Sequence, residues 1–139
     1  MIKRRKRERF GTRQETRIRC PAHLAWVRGH ECAIAGKYFD RDMDGRGRWP
    51  HRCEGKVIAA HVRTGTDGAA GIKPSDCWVI PLCESMTGGA HKAQHNWGEA
   101  TFERRYGIDM KAIAAQLWRA SPHRIRYERR IRERKERTA

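Results

Sequence analysis

The sequence predicts a small α+β domain in which a β-hairpin leads into a helix, and three observations carry that reading. Val57-Ile58-Ala59-Ala60-His61-Val62 and Cys77-Trp78-Val79-Ile80-Pro81-Leu82-Cys83 are short, β-compatible apolar runs. Gly65-Thr66-Asp67-Gly68-Ala69-Ala70-Gly71 between them reads as a turn. After Gly88-Gly89, the segment Ala90-His91-Lys92-Ala93-Gln94-His95 has the composition of a helix start. A chain of 139 residues, 38% of them hydrophobic, supports one core of ordinary size and no second.

The remaining elements follow in chain order. Pro21 suits a first helical turn, and Leu24, Trp26 and Val27 give a short apolar face that Gly29 ends. Residues 36–50 show almost no apolar periodicity and read as a long exposed loop. A last helix is expected to open at Asp109 as N-cap, with Met110, Ile113, Ala114, Leu117 and Trp118 on its buried face, and to end at Ser121-Pro122. The domain is therefore placed at residues 21–122. Residues 1–20 form a basic N-terminal arm and residues 123–139 a basic tail, each expected to be disordered alone or, at the C-terminus, a solvated helix.

Charge narrows the partner. Lys and Arg number 31 against 16 Asp and Glu, a net +15, and the sequence pI is near 10.5. Residues 1–9 and 123–139 each carry +5, so a third of the excess sits at either end. Such blocks attract a polyanion, DNA or RNA, through counterion release. No apolar stretch approaches the roughly 18 residues of a membrane span, and the basic start lacks a signal core, so a soluble, cytoplasmic protein is expected. Five cysteines among seven histidines, without a secretory signal, favour metal or free thiols over a disulfide framework.

His91 and His95, four residues apart, project from one face of a helix and can clamp one ion. With His61 on the first strand and Asp76 opening the second, the polar groups of a β-β-α unit converge at one end. Ala59-Ala60-His61-Val62-Arg63, Gly71-Ile72-Lys73-Pro74-Ser75-Asp76, Pro81-Leu82-Cys83, His91-Lys92-Ala93-Gln94-His95 and the later Tyr106-Gly107-Ile108-Asp109 together resemble the HNH, or His-Me finger, endonucleases, in particular a phage and prophage-type subgroup. The resemblance spans roughly residues 21–122 and implies a ββα-metal finger. By that likeness His61 is the general base, Asp76 takes the asparagine position as orienting group or metal ligand, and His91 and His95 ligate an ion, Mg²⁺, Mn²⁺ or Zn²⁺. Arg63 and Lys73 are placed to hold neighbouring phosphates. Many relatives carry His or Asp just before the base, where this chain has Ala60. Two histidines under-coordinate an ion, so Asp76, water or a substrate phosphate must complete the shell.

The same likeness implies a structural zinc braced by cysteines before the first strand and after the second. Cys32, Cys53 and Cys83 suit it, with Cys77, His51 or Cys20 open as the fourth ligand. Asp40-Arg41-Asp42-Met43-Asp44-Gly45 matches the start of a calcium loop, but its twelfth position is His51 and no entering helix precedes it, so it reads as an exposed acidic loop. The expectation is thus a metal-dependent HNH endonuclease acting on DNA with low sequence specificity, since nothing resembles a base-reading recognition helix. A recombination or packaging protein as partner is implied by the resemblance alone. The alternative is a non-catalytic, zinc-finger-like nucleic-acid-binding protein on the same fold.

Overall fold

The computed structural model describes residues 17–40, 47–68 and 71–138. Among these residues nine elements follow one another: α1 (Pro21–Arg28), β1 (Tyr38–Asp40), β2 (Arg48–Pro50), β3 (Lys56–His61), β4 (Val79–Glu84), α2 (Ala90–Trp97), α3 (Glu99–Tyr106), α4 (Met110–Ala120) and α5 (Pro122–Thr138). They form a small α+β structure with two antiparallel two-stranded sheets, β1 with β2 and β3 with β4.

The β3–β4 hairpin is the centre. Its register pairs Lys56 with Glu84 at one end and His61 with Val79 at the other. Val79, Ile80, Leu82 and Cys83 of β4 are buried, with α1, α2 and α4 all packed against the strand. Ile34, Val62, Phe102, Met110 and Ala114 complete the core. α4 begins where expected, its Asp109 carboxylate accepting from the Ala112 amide at 3.0 Å, and ends at Ser121. Gly89 gives α2 its sharp entry: its φ is +101°, and a Cβ there would lie 2.7 Å from the Cys83 carbonyl oxygen.

Several expectations change. Residues 36–50 are not a continuous exposed loop: β1 and β2 pair there, Phe39 opposite Trp49, because Phe39 packs on the Trp97 and Tyr106 rings and so anchors a segment without periodicity. The tip of that hairpin, with most of the calcium-loop-like motif, lies outside the described residues. Asp76 does not open a strand; it sits in a turn closed by the Trp78 amide on the Ser75 carbonyl at 3.0 Å, and β4 starts three residues later. Helix α3 was not expected, since only Phe102 and Tyr106, one turn apart, reach the core. Of the two states expected for the basic C-terminus, the helical one is present as α5, which rests against α1. The ordered structure also begins before residue 21: Ile18 donates to the Ser75 hydroxyl at 2.9 Å and accepts from the Asp76 amide at 2.9 Å. The first sixteen residues of the N-terminal arm lie outside the described residues.

Candidate active site and metal centre

His61 ends β3 and is held from two directions. Its backbone carbonyl accepts from the Gln94 side chain of α2 at 3.3 Å. Its Nε2 faces Oδ1 of Asp76 at 3.1 Å, and because a carboxylate only accepts, Nε2 carries the proton and Nδ1 keeps the lone pair. Asp76 is in turn fixed by Arg17 on Oδ1 at 3.0 Å and by the Cys20 amide on Oδ2 at 2.9 Å. Burial alone pushes this carboxyl up, yet the bonds from His61 and Cys20 and the charge of Arg17 together outweigh it and hold Asp76 below the ordinary carboxylate value. Both carboxylate oxygens accept hydrogen bonds and the side chain is buried, and Asp76 does not line the cleft on which His61 opens.

The segment after His61 is pinned by α3. One carboxylate, Glu99, accepts from the amides of Arg63 and Thr64 and from the Thr64 hydroxyl, at 2.7–3.1 Å. A cleft of about 470 Å³ opens beside it, lined by β3 from Ile58 to His61, by Arg63, Gly71 and Lys73, and by His91 and His95 of α2. Five residues singled out from the sequence, His61, Arg63, Lys73, His91 and His95, therefore share one cavity; Asp76 stands behind it.

On α2 the two histidines are arranged for one ion or one proton between them. His91 donates through Nδ1 to Glu84 at 2.8 Å, which leaves its Nε2 as acceptor, 2.9 Å from Nε2 of His95. The hydrogen bond to His91 draws the Glu84 carboxyl below its ordinary value. A carboxylate behind a histidine is the arrangement that orients metal-bound imidazoles. Two imidazole nitrogens bound about 2.05 Å from one ion at a right angle stand about 2.9 Å apart, so the pair fits two adjacent positions of an octahedral shell. No third protein donor joins them among the described residues.

A second centre is more complete. Cys32, His51, Cys53 and Cys83 bring their ligand atoms within 4.8 Å of one another and are positioned to bind a metal ion. Nε2 of His51 lies 3.9, 3.5 and 3.4 Å from the sulfurs of Cys32, Cys53 and Cys83. A tetrahedral zinc with bonds of about 2.3 Å to sulfur and 2.05 Å to nitrogen sets that separation at about 3.6 Å, which the cluster matches. Nδ1 of His51 is 3.4 Å from the Tyr106 hydroxyl, and Cys83 accepts from the Ala90 amide at 3.3 Å. Without a cation two of the thiols resist ionisation: desolvation, then the neighbouring Cys32 and Cys83, push Cys53 up to about 12, and desolvation raises Cys32. A bound dication reverses that preference, since a coordinating thiol is deprotonated outright.

The three expected cysteines thus meet, and of the open fourth ligands His51 is the one that joins them. Cys20 lies at the start of α1 and Cys77 is buried elsewhere, its thiol pushed up to about 11 mainly by desolvation. His51 was legible as a candidate two residues from Cys53, but its partner Tyr106 and the supports Arg17, Glu84, Gln94 and Glu99 carried no spacing signal. Comparison with protein-family models finds no match, and neither curated proteins nor solved structures give one. Among the described residues no helix is long and apolar enough to cross a membrane.

Proposed function

We propose that this chain is a metal-dependent endonuclease of the HNH type that hydrolyses DNA phosphodiester bonds with little sequence specificity. The observation that carries the reading is the cleft in which His61 from the hairpin meets His91 and His95 from the following helix, in the order of a ββα-metal finger. His61 Nδ1 takes the proton of an attacking water while Asp76 holds the opposite nitrogen and stabilises the imidazolium that forms. A new phosphorus–oxygen bond forms to the water oxygen, the bond to the 3′-oxygen breaks, and that oxygen is protonated from solvent. His91 and His95 would hold a divalent ion, whose charge stabilises the scissile phosphate and the departing oxygen. Arg63 and Lys73, both exposed on the rim, hold the flanking phosphates.

The Cys32–His51–Cys53–Cys83 centre is read as a structural zinc. It gathers the segment before β1, the chain after β2, the end of β4 and, through Tyr106, helix α3. It thereby fixes the hairpin against the helices that carry the cleft.

A second reading, binding without catalysis, is favoured by the absence of a third protein donor beside His91 and His95 among the described residues. Incubation of supercoiled plasmid with Mg²⁺, Mn²⁺ or Zn²⁺, beside chelator and His61→Ala controls, separates the two. Nicked or linear product that needs both the ion and His61 supports the nuclease. Retarded but intact plasmid with every ion supports the binding protein.

A further inference from the structure

Arg19, Arg126 and Arg130 surround one concavity of about 320 Å³, lined also by Cys20, Pro21, Ala22, His123 and Tyr127, with no carboxylate among its walls. Arg19 comes from the segment before α1, the other two from α5, one turn apart on the same helix face. None of the three guanidinium groups has a hydrogen-bond or ion-pair partner among the described residues; the ion pair described within α5 is Arg124 with Glu128. The helix that carries two of these cations is nevertheless anchored to the rest of the fold. Just before α5, the Ser121 hydroxyl meets Nδ1 of the buried His23 at 2.9 Å, and Tyr127 sets its ring against Trp118 at 6.2 Å. Like charges gathered around one hollow repel each other, and an anion in the hollow relieves that repulsion. Guanidinium forks match phosphate oxygens in pairs, which favours a phosphate over a scattered carboxylate.

We propose that this cavity between the segment before α1 and α5 is a phosphate site that grips the backbone of a nucleic acid. It shares no lining residue with the His61 cleft and is a second, separate anchor. The proposal rests on the nucleic-acid part of the functional reading and not on catalysis. It also assigns the C-terminal charge a defined place: Arg126 and Arg130 grip, while Arg129 and Arg132, which line no part of the cavity, do not.

The test is binding of a short DNA duplex by the zinc-loaded protein with no Mg²⁺ or Mn²⁺ added, as a function of salt, by the full chain, by Arg126→Gln/Arg130→Gln and by Arg129→Gln/Arg132→Gln. Both variants lose the same charge, and circular dichroism checks that α5 keeps its helix in each. The cavity pair is expected to weaken binding about 10- to 100-fold at low salt and to lower the log–log salt slope by about 2, the control pair by less than half as much. Equal losses in the two variants overturn the site, and do so even if the wild-type protein cleaves plasmid. A wild-type protein that retains no duplex overturns the site and the nucleic-acid reading together. Selective loss in the cavity pair upholds the site even where no cleavage is found.

Discussion

Arg17 and His61 bond the same atom, Oδ1 of Asp76, at 3.0 and 3.1 Å. The charge of Arg17 therefore acts on His61 through a buried carboxylate, and residues ahead of α1 belong to the scaffold behind the candidate site. Arg17→Gln is expected to destabilise the fold by about 1–3 kcal/mol, the scale of a buried charge losing one partner. The folded carboxyl lies below its ordinary 3.8, so its contribution is complete above that pH and fades as the pH falls through the folded value. Without Arg17 the folded value rises and the fading starts at higher pH. Urea unfolding of both proteins from pH 3 to 7 checks it; identical profiles would sink the coupling.

Removing His61 is expected to cost more than removing its support. For a general base the loss is about 10²- to 10⁴-fold, and for the orienting Asp76, as Asp76→Asn, about 10- to 100-fold. Initial rates of plasmid nicking measure both, and duplex binding should persist in each variant. A His61→Ala protein that nicks at the wild-type rate would show that this imidazole is not the base.

The Cys/His centre makes a prediction independent of activity. The protein as purified should carry one zinc per chain by elemental analysis, and Cys53→Ser or His51→Ala should carry much less. Because binding at such a site contributes folding free energy, on the order of 10 kcal/mol in small zinc domains, chelation should lower the melting temperature steeply. Equal zinc content in wild type and Cys53→Ser would remove the site. Cys77→Ser, which alters a buried thiol outside the cluster, should leave the zinc in place.

His23 sets a pH limit of its own. It is wholly buried, its Nε2 has no partner, and desolvation, then the nearby His123, push it down to about 4. As the pH falls from 6.5 toward 4 the unfolded chain takes up a proton that the folded chain refuses, so stability is full above 6.5 and is lost through that window. The full shift corresponds to about 3 kcal/mol. His23→Gln should flatten that part of the stability profile, and acid loss of zinc, common to both proteins, cancels in the difference. A profile unchanged by the substitution would show that His23 does not govern it.

Gly55 tests the hairpin that carries the cleft. Its φ is +71°, and a Cβ there would stand 2.0 Å from the Glu84 carbonyl oxygen, a backbone atom that cannot turn away. Gly55→Ala should destabilise by about 2 kcal/mol or more, read from chemical denaturation. A cost below that of an ordinary surface change would mean the turn relaxes freely.

What the sequence determined by itself is whatever local pattern dictates. The apolar runs set β3 and most of β4, the 3.6-residue spacing and the Asp109 cap set α4, and Pro21 with Gly29 bounds α1. The four-residue spacing of His91 and His95 put both on one face of α2, where they face each other. Tertiary structure decided the rest, because it depends on contacts between residues far apart in the chain. Arg17 reaches Asp76 across fifty-nine positions, Tyr106 reaches His51 across fifty-five, and His51 completes the cysteine cluster only because the β1–β2 hairpin folds it toward Cys83. No periodicity encodes such pairs: each is set by which surfaces are buried together, and a buried polar group takes the partner the packing leaves within reach.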